Sequence, residues 1–220
     1  MEKAKVIGTL SLKGGVGKTT IATNLAGAFA ARGEDVILID FDPNRSAARW
    51  GVRRKAKLEN PLFVVATEQS ASIVMNTQKF SMILFDTKGR PDAEEIADLV
   101  EHWDSIVIPT KLDGFSIEVT SHTYKLLPEE ARSKALIIGM DVPKQSSVTF
   151  LSLFKEMRAH GMPIYEKPVS SLQVFKTAAA EGLCVNEVRD PLAGRAWDEI
   201  AQVADAIAEI CGMKQGVLNG

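Results

Sequence analysis

The sequence lacks a long apolar run, a cysteine framework and an excess of charge of one sign. Its longest apolar run, Leu25 to Ala31, is far shorter than the ~20 residues that a transmembrane helix needs. The apolar stretch after the first residues is too short to be typical of a secretory signal. The two cysteines, Cys184 and Cys211, have no CxxC spacing, and we expect both to be buried as small apolar residues. Together these absences predict a cytoplasmic protein in a reducing compartment, with no membrane partner.

The composition is that of an ordinary globular protein. Hydrophobic residues make up 45 % of the 220 residues and charged residues 25 %, and 26 basic against 28 acidic residues leave a net charge of −2. Disordered, collagen-like and disulfide-rich classes are therefore excluded. A chain of this length buries about 70 % of its unfolded surface in one core. We expect a single domain over residues 1–220, in which residues 214–220 form a frayed tail.

Short runs rich in Val, Ile, Leu and Phe alternate with helical patterns along the whole chain. Six runs predict strands and a weaker seventh lies near Pro163–Tyr165; the six are Lys5–Leu10, Val36–Asp40, Leu62–Ala66, Met82–Asp86, Ser105–Pro109 and Ala135–Met140. The helices predicted between and after them are Thr19–Arg32, Ser46–Lys55, Ser70–Gln78, Ala93–His102, Ser116–Leu127, Val148–His160, Leu172–Glu181 and Arg195–Ile210. This alternation predicts an α/β fold, with a doubly wound, mostly parallel sheet and helices on both faces.

A glycine-rich segment joins the first predicted strand to the first helix. It has the pattern K-G-G-x-G-K-[ST], a variant of the Walker A loop in which Leu12 replaces the usual first glycine. Glycines let the backbone wrap around phosphate oxygens, whose negative charge is favoured at a helix N-terminus. Lys18 can reach the β- and γ-phosphates, and the Thr19 hydroxyl can bind Mg²⁺. We therefore predict a P-loop NTPase that binds nucleotide through Lys13, Gly14, Gly15, Val16, Gly17, Lys18, Thr19 and Thr20.

Two further predicted strands end in carboxylates. The second strand ends in Asp40-Phe41-Asp42, and the fourth runs through four apolar residues into Asp86. Both ends lie beside the glycine-rich loop, because ligands bind at the carboxyl ends of parallel strands. Asp86 has the position of a Walker B carboxylate, which holds Mg²⁺ directly or through water. The segment from Asp86 to Gly89 also reads D-x-x-G, which places the Gly89 N–H to contact a γ-phosphate.

These motifs, in this order, resemble the ParA/MinD family of deviant Walker A ATPases, and most of all its short plasmid-partition members. The resemblance is most specific at Lys13–Thr20 and continues in the D-x-D-P-[QN] segment Asp40–Asn44. It implies that Lys13 acts in trans on the phosphates of a second copy, so that ATP holds a homodimer together. It also implies that Asp42 orients the attacking water and that Asp40 lies near the Mg²⁺. The implied catalytic residues are Lys13, Lys18 and Asp42, and the implied metal ligands are Thr19, Asp40 and Asp86.

The resemblance is weaker in the second half of the chain. It places Pro109, Met140 and Pro168 near the nucleotide, the last two on the adenine side. The sequence departs from the family at Lys88, because Thr-Pro-Pro or Thr-Ala-Gly commonly follows this strand in the family. Family members also often carry an arginine in the segment that matches Val169–Phe175, and this sequence has none there.

Basic residues are concentrated just after the Asp40–Asn44 segment. Six of them, and no acidic residue, lie between Arg45 and Lys57. This stripe could contact a phosphate backbone or an acidic partner, or it could be a solvated face. The family resemblance implies a nucleoid-associated protein that binds non-specific DNA, and a centromere-binding ParB-like partner that stimulates hydrolysis. The candidate DNA-binding residues are Arg49 in the stripe, and Lys155 and Arg158 in a thinner basic set.

Other interpretations use the same nucleotide motifs. A division-site ATPase would end in a basic amphipathic helix, whereas Ala201–Ile210 has acidic residues at its polar positions. An iron–sulfur relative needs cysteines near the nucleotide motifs, and both cysteines come after them. ATP-driven positioning of a protein cargo, or assistance of conjugative DNA transfer, remains an alternative to partition. A scaffold that binds ATP without hydrolysing it is a further alternative, although Asp42 argues against it.

Overall fold

The computed structural model describes residues 3–213, apart from the side chains of residues 147 and 150. The predicted frayed tail lies outside the described residues. The strands are β1 (Lys5–Thr9), β2 (Val36–Phe41), β3 (Val64–Thr67), β4 (Met82–Thr87), β5 (Ser105–Thr110) and β6 (Ala135–Gly139). The helices are α1 (Lys18–Ala31), α2 (Ser46–Lys57), α3 (Glu68–Thr77), α4 (Ala93–Val100), α5 (Gly114–Leu126), α6 (Glu129–Arg132), α7 (Ser147–Ala159), α8 (Gln173–Glu181) and α9 (Ala193–Ile210).

The six strands form one sheet in the order β3-β2-β4-β1-β5-β6, and every neighbouring pair is parallel. The predicted doubly wound, parallel sheet is therefore confirmed. The weaker seventh strand is wrong, because Ile164 makes only an isolated bridge to Ile137. Pro163 and Pro168 interrupt this segment, and a proline has no N–H to donate to a continuing ladder.

Helices cover both faces of the sheet, because successive strand residues point to opposite sides. On β2, Leu38 belongs to a core that includes residues of α1, α8 and α9. Its neighbour Ile37 packs on the other face with Ala71 of α3. Phe85 of β4 contacts this second cluster and also a third one, which contains Ile96 of α4 and residues of α7. The sheet is thus buried on both sides, which explains why its strands read as continuous apolar runs.

Both cysteines are free and buried, as predicted. Cys184 lies against α1, where a Cβ built at Gly27 would come within 2.6 Å of the Cys184 Sγ. Burial raises the pKa of Cys184 to about 12 and the pKa of Cys211 to about 11. Both thiols therefore stay protonated at neutral pH and serve as packing groups.

None of the helices within residues 3–213 combines the length and the apolar character needed to traverse a bilayer.

Candidate functional site: a phosphate-binding loop at the carboxyl edge of the sheet

The glycine-rich loop follows β1 and leads directly into α1. Gly15 and Gly17 have φ values of 74° and 102°, in the left-handed region that residues with a side chain rarely adopt. Gly17 is the N-cap of α1, and no side chain caps this helix start. The first N–H groups of α1 therefore remain available to an anion, which the helix dipole also favours.

Lys18 is the first residue of α1 and is only 7 % exposed. Its Nζ lies 3.5 Å from the Lys13 carbonyl oxygen, so the side chain folds back over the loop. Burial lowers the pKa of Lys18, and the nearby carboxylates Asp86 and Asp42 partly oppose this shift. Gly89 lies against the same loop, since a Cβ built on it would be 3.8 Å from both the Lys18 Nζ and the Gly14 Cα. The structure therefore brings the D-x-x-G segment to Lys18, the lysine that is predicted to bind phosphate.

Asp86, at the end of β4, is fully buried beside this lysine. Its Oδ2 accepts a hydrogen bond of 2.7 Å from the Thr19 hydroxyl, whereas its Oδ1 is buried with no hydrogen-bond partner. Burial is the main reason why the pKa of Asp86 rises to about 7. A buried carboxylate with an unused oxygen is costly unless a cation or donor satisfies it.

These donors fit a Mg²⁺ ion that is bound together with a nucleotide. Mg²⁺ prefers oxygen ligands and usually takes one or two protein groups plus substrate phosphates, rather than an all-protein cage. Asp86 and Thr19 supply such a pair of oxygens. Within residues 3–213 no group of three or more His, Cys, Asp or Glu residues is placed to hold a metal by itself. The residues that the structure describes therefore do not form a metal site made of protein ligands alone.

Asp40 and Asp42 follow β2 but have different surroundings. Asp40 is fully buried, and its two oxygens accept hydrogen bonds from the backbone N–H groups of Asp42 at 2.9 Å and of Ala48 at 2.8 Å. The second bond caps α2, whose N-cap residue Arg45 has φ 53° and no capping side chain. Asp42 is partly exposed, and its Oδ1 accepts from the Asn44 N–H at 2.8 Å. Asp40 thus shapes the segment that presents Asp42, and its role as a metal ligand stays a prediction.

A cavity of about 640 Å³ lies between the glycine-rich loop and the segments after β2 and β4. It is lined by Gly14, Gly15, Gly17, Lys18, Thr19, Thr20, Asp42, Pro43, Asn44, Ser46, Lys88, Gly89 and Arg90. Three cationic side chains and one carboxylate therefore face it, which suits a polyphosphate. We call this cavity the phosphate side. Lys88 and Arg90 belong to no nucleotide motif of the sequence, although they flank Gly89, which the D-x-x-G pattern had pointed to.

Lys13 does not line the phosphate side of its own chain. Its Nζ donates to the Ser116 Oγ at 2.7 Å and to the Asp113 Oδ1 at 3.2 Å, and it lies 4.7 Å from the centre of the Phe115 ring. These three residues form the start of α5, with Asp113 as its N-cap. The two lysines of the motif thus face different surroundings, which sequence spacing alone does not show.

A second cavity of about 180 Å³ shares Gly15, Gly17 and Thr20 with the first and extends to the other side of the loop. The rest of its lining consists of Val16, Lys111, Met140 and Asp141, together with Val169, Ser170, Leu172, Phe175, Lys176 and Ala179. Asp141 has φ 57° and pairs with Lys111 at 3.4 Å and with the Ser171 hydroxyl at 2.7 Å. These two contacts, with Ser171 the stronger, lower the pKa of Asp141. We call this cavity the base side.

Met140 lines the base side, where its contact with a nucleotide stays a prediction, and two other predicted nucleotide contacts lie in neither cavity. Pro109 is buried inside β5, where it pairs with Ile138 of β6, and it lines neither cavity. Pro168 lines a separate cavity of about 400 Å³, which also includes Lys167 and Arg195. Contact of Pro109 and Pro168 with a nucleotide stays a prediction, and their places outside both cavities do not support it.

Most of the basic residues between Arg45 and Lys57 make contacts with other residues of the same chain. Arg54 is 1 % exposed and binds Glu187 with both Nη atoms, while its guanidinium packs over Trp50 and Phe63. The other internally bound members are Arg45 with Gln69, Arg53 with the Ala179 carbonyl, and Lys57 with Glu181. The stripe therefore docks α2 on its neighbours.

Among the predicted DNA contacts, Arg49 and Lys155 are exposed. Arg158 is also exposed, and it binds Glu166 and the Ile164 carbonyl, each at 2.7 Å. Arg49 lies on α2 and Lys155 on α7, and these helices cover opposite faces of the sheet. The three residues do not form one surface within a single chain.

The fold and the loop together define a P-loop nucleotide-binding protein: an anion site at a helix start, a buried lysine and a buried carboxylate meet at the carboxyl edge of a parallel sheet. The chain belongs to the family of CobQ/CobB/MinD/ParA nucleotide-binding domains, whose model matches residues 7–185. The family predicted from the motifs is therefore confirmed.

Two relatives can be aligned with most of this chain. The Maintenance of carboxysome distribution protein A of Gloeobacter kilaueensis is 30 % identical over 92 % of this chain and 94 % of its own length. The Protein virC1 of Rhizobium rhizogenes is 27 % identical over 81 % of this chain and 82 % of its own length.

Solved structures share the fold at lower identity. Cyanothece McdA in complex with ATP has a TM-score of 0.68 at 17 % identity and covers 98 % of this chain and 99 % of its own. The ParA of pNOB8, bound to non-specific DNA, has a TM-score of 0.61 at 16 % identity and covers 97 % of this chain and 100 % of its own.

Proposed function

We propose that this protein is a Mg²⁺-dependent, ParA-like ATPase that hydrolyses ATP slowly to ADP and phosphate. The observation that carries the proposal is the buried carboxylate of Asp86, which lies beside Thr19 and Lys18. Its Oδ1 has no hydrogen-bond partner, so a bound cation would satisfy it. Asp42 lines the same cavity and is partly exposed, so that it can meet solvent water. A binding-only scaffold would not need a carboxylate at that place.

Each chemical task falls to a residue with suitable surroundings. The glycine-rich loop and Lys18 hold the β- and γ-phosphates, since their N–H groups and buried cation favour negative charge. Mg²⁺, when bound, neutralises phosphate charge, and Thr19 and Asp86 would hold it. Asp42 orients the attacking water in line with the terminal phosphate. The N–H of Gly89 then reports the presence or absence of that phosphate to the segment after β4.

The dimer is part of the proposal. The Lys13 side chain does not line the phosphate side of its own chain and instead contacts the start of α5. It is 25 % exposed, so a second chain can reach it. An ATP-bound partner would offer it a terminal phosphate in place of Asp113 and Ser116. ATP then holds the homodimer together, and hydrolysis releases it.

The dimer is proposed to bind non-specific DNA and to segregate a plasmid or chromosome. The exposed Arg49 and Lys155 support this role, and the ParA of pNOB8 was solved on non-specific DNA with this fold. Because the two residues lie on opposite faces of one chain, a shared DNA surface would need the second chain. A ParB-like, centromere-binding partner would stimulate hydrolysis and so time the release from the nucleoid.

Retention on random duplex DNA with ATP, ADP or no nucleotide, at two salt concentrations, tests this function. We expect retention with ATP only, and weaker retention at high salt because phosphate contacts release counterions. Arg49→Ala should lower both the affinity and its salt dependence, whereas Arg53→Ala, whose guanidinium is held by the Ala179 carbonyl, should act less. Retention that is equal in all three nucleotide states would refute the ATP-gated mechanism.

A second candidate is the positioning of a protein cargo, or the assistance of DNA transfer, by the same ATP chemistry. The relative named for carboxysome distribution is 30 % identical over 92 % of this chain, and the virC1 relative covers 81 % of it. Deleting the gene and scoring both plasmid loss and the distribution of fluorescently tagged protein assemblies separates the candidates. Plasmid loss alone favours partition, whereas misplaced assemblies with stable plasmids favour the protein cargo.

A further inference from the structure

Lys88 is a cation in the segment after β4 that the mechanism above does not use. It lines the phosphate side together with Gly89 and Lys18. It also lines a groove of about 360 Å³ behind that cavity, together with Glu68, Glu95 and Asp98. Its side chain therefore lies in the wall between a site that suits phosphate and a groove lined by carboxylates.

In this structure Lys88 pairs with Glu95, the third residue of α4. The pair is exposed to solvent, with 37 % of the Lys88 side chain and 43 % of the Glu95 side chain accessible. Such exposed ion pairs contribute little stability, so Lys88 can leave its partner at small cost. Glu95 keeps a second task without Lys88, because its Oε2 accepts from the Asp92 N–H at 3.0 Å and completes the capping box of α4.

A terminal phosphate offers Lys88 a stronger partner than Glu95. The charged groups that face the cavity are Lys18, Arg90 and Lys88 against Asp42 alone. A Cβ built on Gly89 would lie 3.8 Å from the Lys18 Nζ, so the residue just before Gly89 belongs at the γ-phosphate end of the cavity. A phosphate carries more negative charge than a carboxylate and forms charge-assisted hydrogen bonds with ammonium groups.

We propose that Lys88 exchanges Glu95 for the terminal phosphate of a nucleoside triphosphate, and so makes the site prefer ATP over ADP. The inference rests on the proposed ATPase function and adds a specificity residue to it. With ADP, Lys88 stays on Glu95, because no phosphate reaches the segment after β4. The partner of Lys88 thus depends on the nucleotide, and α4 keeps its cap in both states.

The test measures the affinities of the full chain for a non-hydrolysable ATP analogue and for ADP, by calorimetry with Mg²⁺ present. Measurements at two protein concentrations tenfold apart separate binding from dimer formation. Lys88→Met, which removes the charge and keeps most of the length of the side chain, should weaken the ATP analogue about tenfold and change ADP less than about twofold. Glu95→Gln, which keeps the cap of α4 and frees Lys88, should increase the preference for the ATP analogue.

Lys57→Met is the matched control, because Lys57 is also an exposed lysine paired with a glutamate, Glu181, but lines neither cavity. It should leave both affinities unchanged. Equal losses for ATP analogue and ADP in Lys88→Met, or a lower preference in Glu95→Gln, would overturn the role of Lys88 while leaving the ATPase proposal intact. Failure of the unaltered chain to bind either nucleotide would overturn both.

Discussion

The two cavities of the proposed nucleotide site, its phosphate side and its base side, are built in different ways. The phosphate side uses the loop segment from Gly14 to Thr20 and two strand ends, and its key groups are backbone N–H groups and buried charges. The base side is assembled from loops far apart in the chain, around Met140 and from Val169 to Ala179, and it is smaller and more apolar in character. Only Gly15, Gly17 and Thr20 belong to both.

Because of this difference, we expect the phosphate side to provide most of the affinity for the nucleotide and the base side to provide mainly the fit around its base. A charge held in a buried place interacts strongly with phosphate, and its loss leaves opposite charges without partners. An apolar wall contributes in proportion to the area that it covers, at about 25 cal/mol per Å². Substitutions on the phosphate side should therefore cost far more nucleotide affinity than substitutions on the base side.

The largest effect is expected for Lys18→Ala. The ammonium group lies in a buried position beside the glycine-rich loop, and losing a charge-assisted contact of about 3 kcal/mol corresponds to a weakening of at least about a hundredfold. We expect ATP and ADP binding to disappear in calorimetry. Lys57→Ala, at an exposed lysine away from both cavities, is the control and should bind normally.

A fall in binding for Lys18→Ala has to come from the site and not from the fold. The substitution removes a buried cation whose pKa is already lowered by burial, so the melting temperature should not fall. If Lys18→Ala binds ATP within tenfold of the unaltered chain, the phosphate side does not dominate affinity and the comparison fails.

A hydrolysis effect without a binding effect is expected at Asp42. Asp42→Ala should bind ATP and stay dimeric, while phosphate release falls about a hundredfold, because no carboxylate orients the water. Asp42→Asn keeps an oxygen for the Asn44 N–H and removes only the charge, and it should be as slow as the alanine variant. Hydrolysis at the parent rate in Asp42→Ala would show that another residue positions the water.

The same contrast explains what the sequence could predict. The loop motif, the Asp86 strand end and the parallel order were predicted and confirmed as structure, because each depends on local backbone needs or on apolar periodicity. The partners of Asp40 and Lys13 were not predictable, since they depend on how the α2 and α5 helix starts pack. The base side was placed only loosely, at Met140, because pockets made by distant loops leave no fixed spacing.

The basic stripe between Arg45 and Lys57 is a second case in which the sequence could not predict the partners of its side chains. The sequence has six basic residues and no acidic one between Arg45 and Lys57, which suggested a charged face that could meet a phosphate backbone, an acidic partner or solvent. Arg54 is instead buried against Glu187, because the aromatic rings of Trp50 and Phe63 cover its guanidinium and its carboxylate partner comes from a segment far along the chain. Charge counts along a chain therefore overstate the charge available to an external partner.

The smallest effect is expected on the base side, for Leu172→Ala. Leu172 is half-buried and lines the base side, so shortening its side chain removes apolar cover worth about 1 kcal/mol or less. We expect ATP and ADP to weaken by the same factor, about threefold, because the base is common to both nucleotides. Leu192→Ala, at a leucine that is 44 % exposed before α9, is the matched control and should change neither affinity. If Leu172→Ala instead weakened ATP more than ADP, the two sides would be coupled through the loop residues that they share, and the separation of affinity from fit would have to be abandoned.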